Sequence, residues 1–191
     1  MITPVKDQGQ CGSCWAFSSV AAIEAAYALK TKSSGNTFSE QQIVSCDKAN
    51  GNSGCNGGNP NTAMAWVSTT GGLAAEADYP YSSSGGATGT CKSSIKKNPN
   101  TKTAQVIRVA NNFAAMKAAL DIGPVTVTVA ASSNVWQSYV KGVINSKACA
   151  PNGASDIDHA IIAVGYGTDS ATGLPYIKCK NSWGNNPTIC K

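Results

Sequence analysis

The chain has 191 residues, of which 42% are hydrophobic and 13% are charged, and its net charge at pH 7 is +5. This composition predicts a globular protein that is long enough to bury a core, as one domain or two small lobes. It argues against nucleic-acid binding, because Lys96-Lys97 is the only adjacent basic pair and nucleic-acid-binding proteins usually cluster basic residues on one face. It also argues against a membrane protein, since no apolar run approaches the roughly 20 residues of a spanning helix.

The number of cysteines indicates the cellular compartment in which the protein is found. Eight cysteines are many for a cytosolic protein and indicate an oxidising environment, either secreted or lysosomal/vacuolar. Residues 1–7 lack the basic start and apolar stretch of a signal peptide, so we interpret the chain as a mature or clipped form. If Cys14 is a free thiol, seven cysteines remain, and at most three disulfides can form.

The first half of the chain contains mostly helix signals. Apolar positions along an alanine-rich stretch predict a helix over residues 15–30. Ser39 followed three residues later by Gln42 is typical of a capping box and predicts a second, short helix. Residues 47–58, rich in Asn and Gly, predict an irregular loop tied by disulfides, and residues 60–68 predict a third helix.

The second half contains mostly strand signals. Phe113, Met116 and Leu120 mark one amphipathic helix that stops at Gly123-Pro124. Alternating or continuous β-prone runs then predict three strands, over residues 125–129, 159–164 and 175–183.

Two polar connecting segments lie between these halves, over residues 82–90 and 93–103. We place the boundary between the halves there. The sequence therefore predicts an α+β fold with a helical lobe over residues 1–102 and a β-rich lobe over residues 103–191, which together form one domain.

A nucleophile and a base are the central chemical feature of the sequence. Cys14 stands at the start of the first predicted helix, where the partial positive charge of a helix N-terminus favours a thiolate. His159 is the one histidine of the chain, and a protonated imidazole beside the sulfur would complete an ion pair. Because His159 belongs to the other half, the reaction is expected in a cleft between the lobes. Asn181 is a neutral amide suited to orienting the imidazole, with Trp183 shielding that hydrogen bond from water.

Two further features suit acyl transfer. The Gln8 side-chain amide, six residues before Cys14, and the free backbone N–H of Cys14 would donate to the oxygen of a tetrahedral intermediate. Gly57-Gly58 leaves backbone unobstructed, so that an extended peptide can pair with it as an added strand.

Six segments in order carry a family resemblance: QGQCGSCWAFS at 8–18, SCD at 45–47, GCNGG at 54–58, DHA at 158–160, VGYG at 164–167 and KNSWG at 180–184. Together they resemble the papain-like cysteine peptidases of the papain and cathepsin L type. His159 follows Cys14 within the family's spacing of about 130–150 residues, whereas Asn181 lies beyond that range. An enlarged hairpin over residues 169–175 accounts for part of the excess.

The resemblance implies a papain-like two-lobe fold and an endopeptidase that acts through a thioester acyl-enzyme, with no cofactor and no metal. Cys14 would be the nucleophile, His159 the acid and base, Asn181 the orienting residue and Gln8 the oxyanion donor. Exopeptidase branches are disfavoured, because they use a second histidine. The implied partners are protein or peptide substrates and cystatin-type inhibitors, and we expect a monomer without nucleic-acid or membrane partners.

The resemblance also implies substrate-binding residues and disulfides. Substrate would contact Gly57, Gly58, Asn59, Pro60, Thr128, Ile157, Asp158, Ala160 and Trp183. The disulfides would be Cys11–Cys55, Cys46–Cys91 and Cys149–Cys190, which leaves Cys179 free.

The C-terminal segment departs from the family pattern. Pro187 stands where the family has a second tryptophan, and the chain stops at Lys191. One alternative is therefore a catalytically impaired relative that only binds peptides or proteins. Another is an interaction module stabilised by disulfides or by zinc, in which Cys11 and Cys14 would act with Cys46 and Cys55.

Overall fold

Three helices supply most of the regular structure in the first half of the chain. The structure is a computed structural model that describes residues 2–149, 152–184 and 189–190. Helix α1 spans Cys14–Thr31, α2 spans Glu40–Cys46 and α3 spans Pro60–Thr69. The predicted loop over residues 47–58 contains two single turns of 3-10 helix, at Ala49–Gly51 and Gly54–Asn56.

The described residues of the second half add two α-helices and one antiparallel sheet. Helix α4 spans Phe113–Ile122, and the four-residue helix α5 spans Asn134–Gln137. The strands pair in the order β1-β2-β3-β4, with bounds Val125–Val129, His159–Thr168, Pro175–Lys180 and Ile189–Cys190. Helices in the first half and a sheet in the second confirm the predicted α+β fold, whereas the lobe boundary near residue 102 stays a prediction.

Helix α1 is the central element. Its alanines and serines let neighbours approach closely, and it packs against both α3 and β2. Trp15 and Val20 are fully buried on it within a first core cluster, which also includes residues of α2 and α3. A second core cluster lies around the sheet and is formed by Ala131, Trp136, Ile144, Ile161, Ala163 and Cys179.

The predicted capping box is only half formed. The Ser39 hydroxyl accepts a hydrogen bond from the Gln42 N–H at 3.0 Å, as a capping box requires. The Gln42 side chain does not return this bond. Its amide instead accepts from the Ala74 N–H and donates to the Gly72 carbonyl, because the chain after α3 lies alongside it. The N–H of Ser39 donates to the Ala74 carbonyl.

Strand β3 ends at Lys180, three residues earlier than predicted. The chain leaves the sheet there because Ser182 and Trp183 pair with the N-terminal segment instead. The Gln8 N–H donates to the Ser182 carbonyl at 2.9 Å, and Asp7 forms an isolated β-bridge with Trp183. This departure brings Asn181 and Ser182 beside Gln8.

Two of the three predicted disulfides are present, Cys11–Cys55 and Cys46–Cys91. The third, Cys149–Cys190, is wrong, because Cys149 is a free thiol. Its sulfur contacts the Ser133 hydroxyl at 3.7 Å, whereas the Cys190 backbone pairs with Ile177 in the sheet. The side chain of Cys190 lies outside the described residues. Cys179 is free, as predicted, and it is buried.

None of the helices in the described ranges is long and apolar enough to cross a bilayer.

A buried cluster of charges ties the N-terminal segment to α1, α2 and β3. The Lys6 ammonium donates to Glu40 at 2.6 Å and to Glu24 at 3.0 Å. Thr3 donates to Glu24 and accepts from the Lys180 ammonium. These bonds offset the cost of removing the charges from water.

Glu40 is the least satisfied member of this cluster. Its Oε2 has no hydrogen-bond partner within the described ranges. Burial raises the pKa of Glu40 to about 8, the positive charge of Lys6 opposes that rise, and the negative charges of Glu24 and Glu76 add to it.

We predict that Glu40 makes the free energy of unfolding fall as the pH rises from 5 to 8, in opposition to His159, whose pKa is lowered by burial. The folded state binds the Glu40 proton more tightly than the unfolded state, where the pKa is ordinary. The stability that the Glu40 proton contributes is therefore complete below the ordinary pKa of 4.5, and it is lost as the pH approaches 8. One such proton gives a slope of at most about 1.4 kcal/mol per pH unit.

The measurement is equilibrium urea unfolding at pH 5, 6, 7 and 8. Glu40→Gln imitates the protonated side chain and should flatten the slope, whereas Asp78→Asn, at an exposed position, should leave it unchanged. An equal slope in the wild type and Glu40→Gln would contradict this assignment.

Candidate active site

Cys14 lies at the N-terminus of α1, in a segment that is held by a disulfide and a backbone hydrogen bond. It is the first residue of the helix and a half-buried free thiol. The neighbouring Cys11 is tied to Cys55 by a disulfide, and the Gly12 N–H donates to the Cys55 carbonyl at 2.9 Å. A side chain at Gly12 would not fit, because its Cβ would lie 2.6 Å from that carbonyl oxygen. These contacts fix the direction in which the helix begins.

His159 opens strand β2 and is held by an amide. Its Nε2 lies 2.7 Å from Asn181 Oδ1, and this same oxygen accepts the Ser182 N–H at 2.8 Å. An oxygen that only accepts requires Nε2 to carry the proton, which leaves Nδ1 as the acceptor nitrogen of the neutral ring. Trp183 covers the ring, with centroids 4.7 Å apart and an interplanar angle of 30°.

A cavity of about 570 Å³ brings these parts together. Both Cys14 and His159 line it, although they come from elements more than a hundred residues apart. Gln8 lines it as well, and its Nε2 donates to the Cys11 carbonyl at 2.9 Å. Asn181 does not line it, because it is buried behind the imidazole at 3% exposure.

Burial acts on both titratable groups in the same sense, disfavouring charge. It raises the pKa of the Cys14 thiol, and backbone hydrogen bonds at Ala160 and Trp15 oppose the rise. It lowers the pKa of His159, and the bond to Asn181 and the negative charge of Asp158 oppose that fall. Taken separately, each group is therefore held toward its neutral form.

Most of the predicted substrate-binding residues line this cavity: Gly57, Gly58, Pro60, Thr128, Ile157, Asp158, Ala160 and Trp183. Asn59 does not line it, and its contact with substrate stays a prediction. It is the N-cap residue of α3, and its side chain accepts the Asn61 N–H at 2.9 Å.

Sequence reasoning missed six lining residues: Gly12, Asn56, Cys55, Ala131, Ser132 and Gln137. Gly12 and Asn56 each follow a cysteine of the Cys11–Cys55 disulfide. Their position next to these cysteines could have placed them at the cleft from the sequence. Ala131 and Ser132 follow β1, and the register of β1 on β2, with Val129 opposite His159, brings them to the cleft. No signal in the sequence indicated Gln137.

The zinc interpretation is wrong. Cys11, Cys46 and Cys55 are consumed in two disulfides, so they offer no thiolate. Across the described ranges, no group of three or more His, Cys, Asp or Glu side chains is placed to hold a metal ion.

Comparison with known proteins agrees with this geometry. The model of the papain family cysteine proteases matches residues 1–187. Cysteine protease 1 of Oryza sativa subsp. japonica is 41% identical over 184 residues, which are 96% of this chain and 36% of that protein. Digestive cysteine proteinase 2 of Homarus americanus is 39% identical over 185 residues, 97% of this chain and 55% of that protein.

Solved structures show the same likeness. A Carica candamarcensis cysteine protease in complex with E-64 has a TM-score of 0.82 and 37% identity, over 100% of this chain and 84% of that one. Bromelain from Ananas comosus with the same inhibitor has a TM-score of 0.80 and 34% identity, over 99% and 84%. The chain belongs to the papain family of cysteine proteases, and it spans between about a third and just over half of the curated relatives cited above.

We predict that Gly58→Ala destabilises the protein. The added Cβ would lie 2.5 Å from the Trp15 ring and 2.8 Å from the Asn52 side chain, and Trp15 is fully buried. Overpacking of this kind costs about 1–3 kcal/mol, which urea unfolding would detect. Gly85→Ala is the matched control, because nothing lies within 4 Å of its Cβ; equal stability of the two variants would contradict the prediction.

Proposed function

We propose that this chain is the peptidase unit of a cysteine endopeptidase. The observation that carries the proposal is the bond from His159 Nε2 to Asn181 Oδ1 at 2.7 Å. It leaves Nδ1 as the acceptor nitrogen in a cavity that the Cys14 thiol also lines.

The first step is proton transfer from the Cys14 thiol to Nδ1 of His159. The resulting thiolate and imidazolium have opposite charges, so each offsets the desolvation of the other. The position of Cys14 at the start of α1 adds the favourable dipole of a helix N-terminus. Asp158 favours the imidazolium but disfavours the thiolate, because its negative charge raises the pKa of both His159 and Cys14.

The second step forms and breaks the acyl bond. The thiolate attacks the carbonyl carbon of the scissile peptide, and the carbonyl electron pair moves to oxygen. The side-chain amide of Gln8 and the backbone N–H of Cys14 donate to this oxyanion. The intermediate collapses, the C–N bond breaks, and the leaving amine takes the proton from His159, which leaves a thioester on Cys14.

Hydrolysis of the thioester restores the enzyme. Water attacks the thioester carbon while His159 takes a proton from it. Collapse of this second intermediate breaks the C–S bond, and the sulfur recovers its proton from the imidazolium. The products are a carboxylic acid and the free Cys14 thiol, so atoms and charge balance.

The shape of the cavity favours an extended protein or peptide substrate. Gly57 and Gly58 offer unobstructed backbone on one wall, to which a strand-like peptide can hydrogen-bond. Pro60, Ile157 and Ala160 give an apolar surface for a substrate side chain. Cystatin-type inhibitors are proposed as partners of the same cleft, and a secreted or lysosomal/vacuolar location is proposed from the two disulfides.

We predict that E-64, present in two of the similar structures, labels the protein with a stoichiometry of one. The epoxide reacts with a thiolate, so mass spectrometry should find it on Cys14 and find nothing on folded Cys14→Ala. Cys149→Ala, which removes the other half-buried free thiol, should label like the wild type. A folded wild type that is not labelled would leave a peptide-binding module without catalysis as the function.

We predict that His159→Ala abolishes turnover of a peptide substrate and that Asn181→Ala weakens it less. General acid–base catalysis contributes roughly 10²–10⁴-fold, and the chain has no second histidine. Asn181 orients the ring through one hydrogen bond, for which a loss of roughly 10- to 100-fold in kcat/KM is expected. Asn61→Ala, at an exposed position of α3, is the control. Equal losses in the two variants would contradict the orienting role.

A further inference from the structure

We infer that Ser182 is a positioning residue, whose hydroxyl holds the Gln8 amide in the orientation that donates to the oxyanion. The inference rests on the proposed function, since it concerns the oxyanion donor of that reaction. Ser182 Oγ lies 2.7 Å from Gln8 Oε1. Both side chains are buried, at 6% and 7% exposure, so water does not compete freely for this bond.

Two bonds fix which end of the Gln8 amide faces which neighbour. Its Nε2 lies 2.9 Å from the Cys11 carbonyl, and a carbonyl oxygen only accepts, so the nitrogen must face it. The opposite atom is then the oxygen, to which the Ser182 hydroxyl donates. An amide nitrogen carries two hydrogens, and one is used at Cys11. The other remains available to a ligand in the cavity that Gln8 lines.

The backbone of Ser182 is held independently of its side chain. Its N–H donates to Asn181 Oδ1 at 2.8 Å, and its carbonyl accepts the Gln8 N–H at 2.9 Å. Removal of the hydroxyl therefore leaves the bond between His159 and Asn181 in place. The substitution Ser182→Ala isolates the contact to the Gln8 side chain.

Without the hydroxyl, the Gln8 amide keeps only its bond to Cys11 and can rotate about it. The N–H that should meet the oxyanion is then misdirected for part of the time. Complete removal of an oxyanion donor costs roughly 10²–10³-fold in kcat, so a misdirected donor should cost less, about tenfold. Since the ground-state substrate does not depend on this contact, KM should change little.

The experiment is a double-mutant cycle on kcat and KM with a peptide substrate, using Ser182→Ala, Gln8→Ala and the double variant. We expect about a tenfold loss of kcat for Ser182→Ala, a larger loss for Gln8→Ala, and a double variant no slower than Gln8→Ala. Ser182→Thr keeps the hydroxyl and should restore kcat toward the wild type. Thermal unfolding of each variant shows whether it is folded.

Two further measurements separate positioning from a merely structural role. A peptide aldehyde forms a tetrahedral adduct with the thiol, and its oxygen occupies the oxyanion position, so its inhibition constant should rise in Ser182→Ala. Alkylation of Cys14 by iodoacetamide involves no such oxygen. Its rate and pH profile should match those of the wild type, because the pair of Cys14 and His159 is untouched.

The outcomes distinguish the two proposals. Unchanged kcat in Ser182→Ala, or a loss that adds fully to that of Gln8→Ala, would overturn the role of Ser182 while the peptidase stands. An altered iodoacetamide pH profile would also overturn it, because Ser182 would then act through His159. If the wild type binds the aldehyde but hydrolyses no peptide, and both variants weaken the aldehyde alike, Ser182 keeps its role and the proposed function fails.

Discussion

The hydrogen bond between His159 and Asn181 is the contact on which the candidate site depends. A neutral imidazole can carry its proton on either ring nitrogen. Because the Asn181 oxygen only accepts hydrogen bonds, this bond places the proton of His159 on Nε2. Trp183 covers the ring, and both His159 and Asn181 are buried, so the ring is shielded from water on that side. His159 and Cys14 line the same cavity.

Helix α1 connects this bond to the rest of the fold. Its first residue is Cys14, and its body fills the first core cluster and packs against β2, the strand that begins at His159. The same helix therefore contributes to the core and carries Cys14 on an element that packs against the strand of His159. Its many alanines and serines permit this close approach, because they lose little side-chain entropy on burial and keep neighbouring elements near.

Local signals in the sequence predicted the parts of the site that depend on local chemistry. The residues around Cys14, the single histidine and the segment at Asn181 indicated the family and the candidate reacting groups, and strand and helix periods located the elements. What the sequence did not predict depends on long-range packing. Asn59 caps α3 and does not line the cavity, and no local pattern distinguishes a cap residue from a wall residue. Cys149 remained unpaired, although the resemblance implied a disulfide to Cys190.

The buried charges behind the site were the largest feature that the sequence did not reveal, and they explain how polar residues are tolerated there. A cavity of about 20 Å³ has Lys6, Glu40, Asn181 and Ser182 among its lining residues, so the Lys6 cluster adjoins the partner of the imidazole. Apolar side chains at this place would fill the cavity. They would not fix how the N-terminal segment aligns with β3, because apolar packing is non-directional. Directional bonds from Lys6, and from Ser182 to Gln8, allow one arrangement of the N-terminal segment against β3. These bonds hold the Gln8 side chain and the N-terminal segment in place, at the cost of removing charged groups from water.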